Sequence, residues 1–139
     1  MRGNLSDARL RDLFVPVPLG LMWKEYQEAA VKQKIEKMPL EPPAGIAIKT
    51  DRGDFACGVC LYPTPYRMVI GEYLVTNPDL PMWERHVAVV CAAESIKHYA
   101  LCSGQDLWFP IRLAGIKKAA ERAGLRTRGT EIYGIGAKP

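Results

Sequence analysis

Cys57 and Cys60 form a Cys-x-x-Cys pair, the spacing that serves zinc binding or thiol redox chemistry when a turn brings both sulfurs to one side. Their setting, FACGVCLY, reads instead as a β-strand, where residues three apart point to opposite faces. The pair is therefore expected to hold no metal between them. Cys91 and Cys102 fall in a helical stretch without paired spacing, and four cysteines are too few for a secreted disulfide framework, so reduced structural thiols are expected. His86 and His98 lie twelve apart on the same helical stretch, too far to share one ion. Trp83 and Trp108 line either a pocket or the core. Charge offers a different chemistry. From Arg112 onward seven basic residues face only Glu121 and Glu131, which gives +5 there, −1 for the rest and +4 for the chain. Such a basic C-terminal third meets phosphate, on a nucleotide-like cofactor or on nucleic acid, or else is a solvated helix surface.

The elements that must position these groups follow from periodicity. A length of 139 residues suits one domain with one core. No apolar run approaches the roughly 20 residues that cross a bilayer, so no membrane partner and a cytoplasmic location are expected. The sequence assigns no oligomeric state. Residues 1–43 read as a helical N-terminal part without a strand. Ser6 and Asp7 open a short helix over ARLRDLF that Pro16 and Pro18 close, and a second helix runs through GLMWKEYQEAAVKQKIEKM. Its apolar side is Leu21, Met22, Tyr26, Ala29, Ala30 and Ile35.

Residues 44–139 read as a sheet with two helices. GIAIKT, FACGVCLY and RMVIGEYLVTN form an antiparallel meander, joined by the hairpin-length DRGD and the stiffer PTP corner. A long helix follows from Pro81 to Cys102, with Val89, Ala92, Ala93, Ile96, Tyr99 and Ala100 as its apolar stripe and Gly104 at its end. QDLWFPI is the next strand, Leu113 to Ala123 another helix, and TRGTEIYGI one last strand. A strand, a crossover helix and a strand make a parallel pair of VIGEYLV with LWF. The fold class is therefore α/β with a mixed sheet: an antiparallel meander, a β-α-β parallel step, and helices on both faces.

Over about residues 44 to 135 this pattern resembles the GNAT acyltransferases, in particular small divergent members encoded by bacteriophages. VIGEYLVTNP is similar to the family's fourth strand and its exit, and LAGIKKAAERAGL to the helix before its sixth strand. The resemblance implies that the fourth and fifth strands splay apart and that the pantetheine arm of acetyl-CoA, or of another acyl-CoA, lies in the opening. It places Glu72 as the base that takes a proton from an amine through water, and the strand tyrosines Tyr73 and Tyr133 are the candidates, read from the residues themselves, to give a proton to a leaving thiolate. It places the backbone of Leu74, Val75 and Thr76 against the pantetheine. Each also has a plainer reading, as the wet face or the packing of a strand. The family's glycine-rich phosphate loop is replaced here by Asp79-Leu80-Pro81-Met82-Trp83-Glu84-Arg85-His86, which has no glycine. Arg85 and His86 are left to neutralise the diphosphate, against Asp79 and Glu84. The family's usual tyrosine acid falls on Ala120.

The implied activity is acyl transfer from acyl-CoA to an amine on a small molecule or a protein. Two alternatives stay open. One is a non-catalytic GNAT-fold protein, binding a host protein or nucleic acid in the host cytoplasm. The other is a nucleobase-modifying enzyme similar to the phage Mom proteins.

Overall fold

The computed structural model describes residues 12–35, 39, 41–110, 118, 121–123, 126–127 and 132–135, without the side chains of 107–110, 126–127 and 132–135. In chain order the elements are β1 (Phe14–Pro18), a 3-10 turn (Leu19–Met22), α1 (Trp23–Lys32), β2 (Gly45–Thr50), β3 (Phe55–Pro63), β4 (Met68–Thr76), α2 (Met82–Ser103), β5 (Asp106–Pro110), β6 (Arg126–Thr127) and β7 (Ile132–Ile135). The strands form one sheet in the order β1-β2-β3-β4-β5-β7-β6. β2, β3 and β4 are the expected antiparallel meander. β4 and β5 are the expected parallel pair, in register from Met68 with Asp106 to Ile70 with Trp108.

The N-terminal part departs from expectation, because FVPVP is a strand and not the end of a helix. Asp51 N–H donates to Leu13 O at 2.9 Å. That contact sets the parity of the β1–β2 ladder, in which Pro16 and Pro18 stand opposite Ile48 and Ile46 at positions whose N–H would point away from β2. The prolines therefore cost the ladder no hydrogen bond, as an edge strand allows. The helix expected over ARLRDLF lies outside the described residues apart from its last positions. α1 is shorter than its pattern predicts: Gln33 N–H closes onto Ala29 O, and Lys34 enters the left-handed region at φ 57°. The last strand is in fact two, since β6 and β7 pair antiparallel, Arg126 with Gly134 and Thr127 with Tyr133. Lys118, Glu121 and Arg122 are helical, and the rest of the helix expected over 113–123 lies outside the described residues.

α1 and α2 cover opposite faces of the sheet. Leu19, Met22, Tyr26, Ala29 and Ala30 pack on Ala47, Phe55, Cys60 and Val75. On the other face α2 lays Val87 to Val90, Ala92, Ala93, Ile96 and Ala100 against Phe14, Ile48, Ala56, Cys57, Val59, Leu61 and Val69. The alanines let the helix axis approach the sheet closely. Leu21 and Tyr99, expected inside, are exposed, because each falls one step around its helix from the contact face. α2 starts at Pro81 and stops at Gly104, whose φ of 69° lets Gln105 N–H close onto Ala100 O at 2.9 Å.

Cys57 and Cys60 point to opposite faces, as the strand reading requires. Cys57 donates to Ala88 O under α2, while Cys60 Sγ lies 3.3 Å from the Tyr26 hydroxyl under α1. Burial pushes both thiols above their ordinary pKa. Cys102 is exposed, with His98 Nε2 3.5 Å from its sulfur. Iodoacetamide on the native protein is expected to alkylate Cys102 first and to leave Cys57 and Cys60 unmodified until denaturant is added, which peptide mapping by mass spectrometry checks. Among the described residues no three His, Cys, Asp or Glu side chains gather as a metal site.

Candidate active site at the β4–β5 opening

The site begins where the central strands part. β4 runs to Thr76, yet only its first three residues pair with β5, so among the described residues no strand pairs with the edge from Gly71 to Thr76 on that side. β5 meanwhile turns its other side to β7. A bulge sharpens the divergence: Cys60 pairs with Glu72 and Gly58 with Val75, so Tyr73 and Leu74 together oppose Val59. Tyr73 takes φ 56°, a conformation that side-chain-bearing residues rarely adopt. Its carbonyl, turned out of the ladder, accepts a 2.6 Å hydrogen bond from the fully buried Tyr26 hydroxyl.

The bulge keeps Glu72 and Tyr73 on one face. Residues directly opposite across a ladder share a face, so Glu72 lies with Cys60 on the α1 side, where Tyr73 also packs. Tyr62 joins them, and its hydroxyl is pushed up to about 12 by burial, then by Cys60, Tyr73 and Glu72. It stays protonated at neutral pH beside the half-exposed carboxylate of Glu72. Leu74 packs on the α2 face, and Val75 is buried on the α1 face.

Thr76 ends the open edge. Asn77 N–H donates to Ala56 O on β3, so by alternation Thr76 N–H points away from β3 into the opening. Gln33, just past α1, takes that N–H on Oε1 at 3.1 Å and donates Nε2 to Thr76 Oγ1 at 3.0 Å. Arg85 adds its guanidinium to the same hydroxyl at 3.0 and 3.3 Å.

The two acids of the loop do not act as free charges. Glu84 is buried and takes both oxygens to Arg52 Nη2, at 3.0 and 3.3 Å. Asp79 pairs with Lys32 at 2.7 Å on the surface. Met82 and Trp83 are exposed instead of filling the space beside the helix end. No side chain among the described residues caps α2, so its first-turn N–H groups keep their positive end toward the loop. These features fit the diphosphate of a CoA ester: uncapped donors at a helix start, a guanidinium beside them, and neighbouring carboxylates already neutralised. His86 faces elsewhere, toward Arg122. Tyr133 stands on β7 opposite Phe109, separated from β4 by β5.

Sequence reasoning missed Tyr26, Gln33, Arg52 and Tyr62. For Tyr26 a signal existed: a tyrosine on the inner side of a helix must find a partner for its hydroxyl. The other three act across 32 to 43 residues or only once the strands are paired, for Arg52 with Glu84 and Gln33 with Thr76.

The sequence matches no family model and no curated protein. Solved structures do resemble it. A GNAT-family acetyltransferase from Bacillus anthracis superposes with a TM-score of 0.64 at 9% identity, over 91% of this chain and 96% of that one. The catalytic domain of a Tetrahymena histone acetyltransferase in complex with coenzyme A gives 0.58 at 11% identity, over 91% and 93%. The chain thus has the GNAT fold, a mixed sheet split at its fourth and fifth strands.

Proposed function

We propose that the protein is an acyl-CoA-dependent N-acyltransferase acting at the β4–β5 opening. The observation that carries this reading is the open edge of β4 leading to an uncapped α2 N-terminus whose nearby acids are paired with Arg52 and Lys32. The uncapped N–H groups of Met82, Trp83 and Glu84 and the Arg85 guanidinium hold the diphosphate. The open edge from Leu74 to Thr76 lies along the pantetheine arm. A bound acyl-CoA supplies a thioester carbonyl open to attack by an amine. Glu72 takes a proton from the ammonium of the acceptor through water and leaves a nucleophilic lone pair. As the new C–N bond forms and the C–S bond breaks, Tyr73, on the same face as Glu72, gives a proton to the leaving thiolate and is restored through water by the second proton that the nitrogen sheds. The coenzyme and an amide are released, and the proton held by Glu72 returns to water.

A second reading, a GNAT-fold binding module in the cytoplasm of a phage-infected host, draws support from Gln33, which already occupies Thr76 N–H. Titration of acetyl-CoA separates the two. The parent protein is expected to bind it, and Arg85→Ala to bind about ten- to a hundredfold more weakly, since a charge-assisted contact is worth roughly 1.5 to 3 kcal/mol. No binding to the parent at millimolar acetyl-CoA removes the enzyme reading.

A further inference from the structure

Arg85 and His86 are neighbours on α2 and therefore project about 100° apart around its axis. Arg85 serves Thr76 at the mouth of the opening, whereas His86 turns toward Lys118 and Arg122. Arg122 Nη1 lies 2.9 Å from His86 Nε2. Because a guanidinium can only donate, that imidazole nitrogen carries no proton, and Nδ1 holds the ring's one N–H. Burial, Arg122 and Lys118, in that order, hold the His86 pKa below its ordinary value. Two permanent cations thus converge on a half-buried neutral ring, one step along α2 from the uncapped first turn. The Arg122–His86 hydrogen bond joins two of the three groups, and the second cation, Lys118, brings enough positive charge to this face of α2 to suit an anion shared among them.

The placement matches a second feature of the ligand. In a CoA ester the diphosphate connects to a ribose that carries a separate phosphate monoester on its 3′ oxygen. We propose that His86, Lys118 and Arg122 form the seat for this ribose 3′-phosphate and let the protein distinguish CoA esters from their dephosphorylated forms. This rests on the acyl-CoA reading above. The guanidinium and ammonium give charge-assisted hydrogen bonds to the monoester dianion, and the imidazole becomes a third donor on the same side by taking up a proton on Nε2 as the dianion arrives. The diphosphate stays on the other side of the helix start, with Arg85.

The test compares CoA with dephospho-CoA by calorimetry on the intact protein, and adds a short DNA duplex as a third probe. CoA is expected to bind about ten- to a hundredfold more tightly than dephospho-CoA. In Arg122→Ala and in Lys118→Ala that ratio falls toward one, while affinity for dephospho-CoA holds. Equal affinity of the parent for both coenzymes overturns the proposal and leaves the acyl-CoA reading standing. So does a duplex whose binding depends on Arg122 when the coenzyme ratio does not. If neither coenzyme binds, the acyl-CoA reading itself fails and the 3′-phosphate seat goes with it.

Discussion

Glu72→Gln is expected to slow acyl transfer by about 10²- to 10⁴-fold, with acetyl-CoA affinity nearly unchanged. The carboxylate sits half-exposed on the α1 face, held there with Tyr73 by the β4 bulge, and removed from the paired acids of the loop. Glutamine keeps the shape and the hydrogen-bonding reach of the side chain but cannot accept the proton of an ammonium. The loss should therefore fall on kcat and not on cofactor binding. It should also remove the acidic limb of the pH–rate profile, measured with whichever amine of a screening panel is acylated fastest. An undiminished rate would assign Glu72 to the wet face of the strand and leave another group as the base.

Gly45→Ala is expected to destabilise the fold by about 3 kcal/mol, at the upper end of what overpacking costs. A β-carbon on Gly45 would stand 2.4 Å from the backbone oxygen of Val59 and 2.7 Å from Leu19 Cδ2. A side chain can turn aside, but the Val59 carbonyl is held in the middle of β3 between β2 and β4. A loss of about 10 °C in Tm follows for a domain of this size. Gly20→Ala is the matched control, since nothing lies within 4 Å of its β-carbon and its backbone is not in the left-handed region. Thermal unfolding followed by circular dichroism checks both, and a Tm for Gly45→Ala within a degree of the parent would show that β2 and β3 can part at this point.

The sequence revealed the central architecture because two periods are written into it. Residues 45–76 alternate at strand spacing between turn residues, and 81–103 carry a stripe of alanine and β-branched residues that only a helix buries on one side. Strand β1 stayed hidden because Pro16 and Pro18 read as helix terminators, and only the partner strand shows that their missing N–H groups face outward. The position of Glu72 on the fourth strand was legible. The bulge beside it was not, because nothing in Glu72-Tyr73-Leu74 marks Tyr73 for a positive φ, and the Tyr26 bond that holds its carbonyl spans 47 residues. The neutralisation of Glu84 was equally out of reach, since Arg52 belongs to a hairpin turn 32 residues earlier. Counting local charge alone made the loop look hostile to phosphate.

The outward-facing prolines of β1 bear on how this chain behaves in a crowd. An exposed sheet margin invites a strand from another molecule to add on, the first step toward fibrillar aggregates. Along β1 two of the outward backbone donors are replaced by proline rings, so an incoming strand meets a margin that cannot complete a ladder. At the opposite margin β6 contributes two residues among those described, a short template for pairing. Both described flanks of the sheet are thus poor templates for recruitment, which favours high concentrations without self-templated polymerisation.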